Sequence, residues 1–263
     1  MSIMSVQNFT LGIDALDIAL NGGLPRGRLH EIYAGHTEDG ASASGFAAML
    51  AMRSCKAEDA VFWLRHERGE SRGGGLQAAG LVELGFDPGR ILFVMAPDAD
   101  TLLRAAVDAV RCGGLGAVVV EGWGKMPRLD LTASRRMKLA AEKSGVTLLL
   151  LRIDCEPSVS AAETRWSVRA APSSALEANA PGRPAFDIEL LRRRAGPAGL
   201  TARLEWNRDR LVFETQSAFE DTGQNTGQNT GQNTGQDRAQ YPALPRLMVP
   251  PSIDRQGTKR AAA

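Results

Sequence analysis

The stretch that most constrains the fold is Leu29–Ala57, LHEIYAGHTEDGASASGFAAMLAMRSCKA. Leu29–Ala34 reads as a buried strand, a tight loop follows, and an amphipathic helix begins near Ser42. The loop holds Gly35, four residues, Gly40, Ala41 and Ser42, the spacing G-x-x-x-x-G-K-[ST] with alanine at the lysine position. In that pattern glycines let the backbone wrap around phosphate oxygens, and the helix that follows turns its N–H groups toward the anion. The lysine neutralises the outer phosphates during transfer. Ala41 carries no charge, and Glu38 and Asp39 add two carboxylates that oppose a triphosphate. The plain alternative is an ordinary βα turn that uses glycine for geometry alone.

Downstream, short apolar runs alternate with helical patterns. Ala60–Arg65, Ile91–Met95, Ala117–Val120 and Thr147–Leu151 read as strands. Residues 66–75, HERGESRGGG, read as a polar glycine-rich loop, and Leu76–Leu84 as a helix. Asp98 and Asp100 offer N-caps to a helix whose Leu102, Leu103, Ala106, Val107 and Val110 share one face. A further helix spans about Thr132–Ser144. Strands apolar throughout and alternating with helices predict a mainly parallel α/β sheet covered on both faces. From Asp154 the pattern changes. Arg165–Ala170, Ala185–Arg193, Gly199–Trp206 and Arg210–Thr215 are strands joined by short turns, hence an antiparallel hairpin extension of the sheet. The core is therefore expected over residues 1–215.

Beyond it, residues 216–240 carry the repeat TGQNTGQNTGQNTGQD, which has nothing to bury and is expected to be a disordered linker. Residues 241–263 regain apolar side chains among prolines, and Tyr241, Leu244, Leu247, Met248 and Val249 form a candidate docking peptide.

Composition closes other routes. A formal net charge of +1 gives no global pull toward nucleic acid or anionic lipid. The three cysteines lie far apart with no C-x-x-C pair, and His30, His36 and His66 have no metal-ligand spacing, so no metal is expected. The N-terminus has no signal pattern and no apolar run approaches a membrane span, so the expected location is the cytoplasm, with no membrane partner.

The string L-D-I-A-L-x-G-G-L-P-x-G-R-x-x-E-I-Y, Leu16–Tyr33, resembles the entry to the ATPase core of RecA and its relatives. With the lysine-less loop and the segments Arg165–Val168 and Glu189–Trp206, the chain most resembles the ImuA family, RecA-fold components of the bacterial translesion-synthesis mutasome. That resemblance covers roughly residues 8–215 and implies a RecA-like core with a degenerate phosphate loop and no cofactor. It further implies damage-induced mutagenic DNA synthesis beside an ImuB-like protein and an error-prone polymerase; RecA itself is a further candidate partner. Two other classes stay open: a RecA-type ATPase or DNA-binding recombination factor, and a SulA-like cell-division inhibitor. The first would need the lysine, and the roughly nine residues before the core leave no RecA-style oligomerisation segment.

Few residues remain for chemistry, and none is expected to be catalytic. Glu121, ending the apolar run AVVVEGW, matches the position of the metal-proximal acid and is read as a relic of it. Glu67 lies near the water-orienting acid of RecA relatives, with His66 leaving the register open by one residue. Ser42 matches the metal-touching hydroxyl or, equally, a helix N-cap. Trp123, in a Gly-Trp-Gly loop, is expected to escape deep burial and to offer an interaction surface or a stacking platform. Trp63 and Trp206 sit in strands and are expected in the core. Arg135, Arg136, Lys138 and Lys143 form a basic helix stripe and Arg192–Arg194 a basic turn, suited at most to a weak nucleic-acid contact.

Overall fold

In the computed structural model, residues 7–174, 176–180 and 182–215 and the backbone of Glu220–Asp221 are described. The linker 216–240 and the tail 241–263, with Tyr241, Leu244, Leu247, Met248 and Val249, otherwise lie outside the described residues.

The chain opens with β1 (Asn8–Phe9), α1 (Asp14–Ala19) and β2 (Leu24–Pro25), and β1 pairs antiparallel with β2. Leu11, Leu16 and Leu20 are fully buried, and Asp17 holds the turn before α1 by accepting the N–H groups of Leu11 (2.7 Å) and Gly12 (3.0 Å). Then come β3 (Leu29–Ala34), α2 (Gly40–Ser54), β4 (Ala60–His66), α3 (Glu67–Gly73), α4 (Ala78–Glu83), β5 (Ile91–Ala96), α5 (Ala99–Val110), β6 (Leu115–Trp123), α6 (Leu131–Ser144) and β7 (Thr147–Ile153). The last strands are β8 (Thr164–Ala170), β9 (Ala185–Arg193), β10 (Leu200–Asn207), β11 (Val212–Thr215) and β12 (Glu220–Asp221).

The main sheet has the order β11-β10-β9-β8-β3-β7-β6-β4-β5, with β12 also on β10. Strands β5, β4, β6, β7, β3 and β8 run parallel, and β8–β9–β10–β11 is the antiparallel extension predicted from the sequence. Every residue of β3 and β7 is buried, which is why these strands read as unbroken runs rather than as alternating ones. Helices α5 and α6 cover one face; α2 and α4 cover the other. Asp98 and Asp130 cap α5 and α6, accepting from Thr101 N and Ala133 N at 2.7 Å each. No helix among the described residues is long and apolar enough to cross a membrane.

Two sequence expectations fail here for physical reasons. The helix after the loop is not amphipathic: α2 is buried on most sides, because the antiparallel strands bring Phe186 and Phe213 against Phe46 at ring distances of 5.8 and 5.3 Å. It needs an apolar surface almost all round. Residues 67–73, expected within a loop, form α3, whose buried contact is made by glycine rather than by an apolar stripe.

His30 is a buried core histidine, its ring nitrogens 2.8 Å from Thr164 Oγ1 and 3.0 Å from the Pro25 carbonyl. Burial lowers its pKa from 6.5 to about 4. Above pH 6.5 neither folded nor unfolded chain holds the proton, so the contact costs nothing there. As pH falls from 6.5 toward 4, the unfolded chain takes up the proton first and stability is lost. The expected loss is about 3 kcal/mol by pH 4, and His30→Gln should flatten that part of a denaturation-versus-pH curve.

Candidate functional site

In parallel α/β sheets ligands bind beyond the carboxyl ends of the strands. Here β3, β4, β6 and β7 end around the first turn of α2. The Gly35–Ser42 loop runs through this place in a form that differs from an open phosphate cradle. Thr37–Asp39 is a turn of 3₁₀ helix continuous with α2, and Gly40 is already helical (φ −58°, ψ −43°). Neither Gly35 nor Gly40 takes a positive φ, so the alternation of right- and left-handed residues that gathers N–H groups around an anion is absent from this loop.

The loop carboxylates are also not equivalent. Asp39 is buried and accepts the Ala170 N–H at 2.9 Å, stitching the loop to the end of β8, while Glu38 is exposed. Only one of the two charges expected to oppose a phosphate faces solvent. Ala41 is exposed and Ser42 half-buried. Helix α2 begins at Gly40, two residues earlier than expected, and its N-cap is Asp39, which makes no side-chain capping bond. Ser42 therefore lies inside the first turn and is not the N-cap.

Glu121 is the centre of the crevice and is 1% exposed. Strand alternation places Trp63 and Arg65 of β4 on one face, and Glu121 and Trp123 of β6 on the same face of the neighbouring strand, with Arg65 directly beside Glu121 in register. Trp63 Nε1 donates to Glu121 Oε2 at 2.9 Å, and Trp123 Nε1 donates to Oε1 at 2.7 Å. Arg65 Nε lies 2.9 Å from the same Oε1, an ion pair without the alignment of a hydrogen bond. The guanidinium donates onward to the carbonyls of Gly69 (3.1 Å) and Gly74, tying α3 down over the strands. Both oxygens of the carboxylate are thus engaged by this chain's own donors.

Trp123 closes the crevice. It is the last residue of β6 rather than part of a loop, and it is half-buried. A Cβ added at Gly69 would lie 2.8 Å from the indole, one at Gly73 2.4 Å and one at Gly40 3.1 Å. The ring is therefore slotted between α3 and the first turn of α2, and the Arg65 guanidinium lies 6.0 Å from its centroid. Beside it a groove of about 340 Å³ remains, lined by Ala41, Ser44 and the glycines 73–75 together with Arg65, Glu121 and Trp123 itself.

The other candidates disperse. Glu67 is exposed at the start of α3. Trp63 and Trp206 are core residues, as expected. Lys138 pairs with Glu142 at 2.8 Å, Arg192 donates to the Ser160 carbonyl and Arg193 to that of Ala19, so the basic runs are partly structural. Among the described residues no group of His, Cys, Asp or Glu is arranged to hold a metal.

Against known proteins, no family model matches the chain. Protein ImuA from two strains of Caulobacter vibrioides is 34% identical over 192 residues, covering 68% of this chain and 75% of the relative. A chloroplastic DNA repair protein recA homolog 1 from Arabidopsis thaliana is 30% identical over 56% of this chain and 35% of its own length. The solved RadB recombinase superposes with a TM-score of 0.53 at 16% identity, covering 80% of this chain and all of RadB, which shows the RecA-like fold alone. The chain belongs to the ImuA family.

Proposed function

We propose that this chain is a non-catalytic, RecA-like accessory protein of damage-induced mutagenic translesion DNA synthesis, an adaptor for an ImuB-like protein and an error-prone polymerase. One observation carries the non-catalytic part: both oxygens of the acid at the metal-proximal position, Glu121, are engaged by Arg65 and two indoles of this chain. Ala41 leaves the loop without the lysine charge used in phosphoryl transfer, and the loop is wound into 3₁₀ helix instead of an open cradle. Membership in the ImuA family supports the translesion role, and the adaptor role assigns partner capture to the tail segment Tyr241–Ile253, with Trp123 on the core as the alternative site.

In cells, Ser42→Ala should leave damage-induced mutagenesis unchanged, whereas deleting the gene should abolish it. Loss of mutagenesis in a correctly folded Ser42→Ala chain would favour a RecA-type ATPase, and division arrest on overexpression would favour a SulA-like inhibitor. Ending the chain at Asp221, which keeps β12 on β10, should leave its melting temperature unchanged and weaken capture of the ImuB-like partner at least tenfold, as a pull-down with both chain lengths reads directly. Equal capture by both would move the interface onto the core.

A further inference from the structure

Helices α5 and α6 pack side by side on one face of the sheet, and the seam between them stays open as a groove of about 280 Å³. Its floor is apolar, made by Leu103, Val107 and Met137. Its rims are arginine. Arg104 and Arg111 stand along α5, Arg136 on α6 and Arg128 just before it, and all four are exposed. Two of them have counter-ions: Asp100 lies 2.8 Å from Arg128 and Asp108 lies 3.3 Å from Arg111. Both pairs face solvent, where such contacts are worth little. The other two are not in ion pairs among the described residues, and the hydrogen bond of Arg104 goes to the Thr101 hydroxyl at 3.3 Å. Arg135 and Lys143, exposed on α6, add charge of the same sign, and Leu139 between them is 63% exposed. A chain with a formal net charge of only +1 thus gathers uncompensated cations along one apolar seam.

We propose that this groove docks an acidic amphipathic helix of a protein partner. An apolar floor between cationic rims is complementary to a helix with apolar side chains at i, i+3, i+4 and i+7 and carboxylates on both flanks. The length agrees, since Asp100 to Arg111 spans about three turns, or about 16 Å. Contact with the floor supplies affinity. The arginines supply register, because a guanidinium fork takes a carboxylate through two parallel hydrogen bonds. Nucleic acid fits the groove less well. Its lining has no aromatic ring for a base to stack on, and Asp100 and Asp108 would stand against an unbroken line of phosphates. A peptide can space its carboxylates to meet Arg104 and Arg136 and leave gaps at the two aspartates. The chain's own tail has the wrong sign, as residues 222–263 hold two acidic and five basic residues. This docking site is therefore distinct from the tail and does not rest on the tail's role in partner capture.

The probe is a blocked, fluorescently labelled peptide of about 14 residues, with leucine along one helical face and glutamate on both flanks. Fluorescence anisotropy should show saturable binding to the full chain, and none for a peptide of the same composition with its leucines dispersed around the helix. Arg104→Glu combined with Arg136→Glu should weaken binding about tenfold or more. Both side chains are exposed, so the unfolding midpoint should stay in place. The same change in net charge made elsewhere, Lys56→Glu combined with Arg169→Glu, should shift binding by less than about twofold. A benzophenone placed among the leucines supplies a geometric check that does not depend on affinity, since on illumination it should cross-link within residues 100–137. Failure of the acidic helix to saturate, equal losses from the two double variants, or cross-links mapped outside the groove would overturn the inference. Tighter binding of a single- or double-stranded oligonucleotide, abolished by the Arg104→Glu and Arg136→Glu pair, would also overturn it and give the groove to nucleic acid.

Discussion

Glu121→Ala is expected to destabilise the protein by about 3–5 kcal/mol, the usual cost of removing one member of a buried ion pair. The substitution leaves Arg65 buried without a counter-charge and orphans the indole N–H groups of Trp63 and Trp123. For a chain of this size the melting temperature should fall on the order of 10 °C. Glu121→Gln keeps an acceptor for one indole and should fall between alanine and wild type. Thermal unfolding monitored by tryptophan fluorescence reads both. If Glu121 were a spare catalytic acid facing an open crevice, removing it would relieve charge and leave stability unchanged or raised.

Gly73→Ala should also destabilise, against the ordinary sense of that substitution. In a helix, glycine to alanine stabilises by about 0.4–1 kcal/mol, because alanine loses less backbone entropy on folding. At Gly73 the new methyl would meet Trp123 at 2.4 and 2.6 Å, and the indole cannot retreat, being held on its other sides by Gly69 and Gly40. Overpacking of this kind costs about 1–3 kcal/mol, which outweighs the entropy gain. Gly80 in α4 supplies the control, since a Cβ there meets nothing within 4 Å. Gly80→Ala should therefore stabilise while Gly73→Ala destabilises, and urea denaturation of the pair decides it. Stabilisation by both would show that the indole does not occupy the glycine slot.

These two sites also mark where sequence legibility ends. The parallel strands were readable because burial on both faces leaves continuous runs such as LLLL in Thr147–Ile153. The pairing of Glu121 with Trp123 is in principle readable too, as two residues two apart on one strand share a face. The partnership of Glu121 with Arg65 and Trp63 is not, because it depends on β4 lying beside β6 in one register, across some sixty residues of chain. Helix α3 was missed for a different reason. Its sequence ERGESRG has no apolar periodicity, and its only packing signal is the spacing of Gly69 and Gly73, four apart on one face, which makes room for a ring supplied from elsewhere. The loop was legible in its missing lysine but not in its winding. That Asp39 turns away to the end of β8 follows from β8 lying next to β3, a neighbourhood set by topology rather than by local sequence.

The most direct test of a crevice closed by Trp123 and neutralised by Arg65 is calorimetric titration of the full-length chain with magnesium and ATP, paired with a turnover assay on the same sample. No saturable heat is expected into the millimolar range, and no phosphate release above background. Ala41→Lys alone should be equally silent, since the 3₁₀ turn and the engaged Glu121 would both remain. Magnesium-dependent saturation by the wild-type chain at micromolar ATP, or turnover on the order of one per second, would contradict this reading of the site.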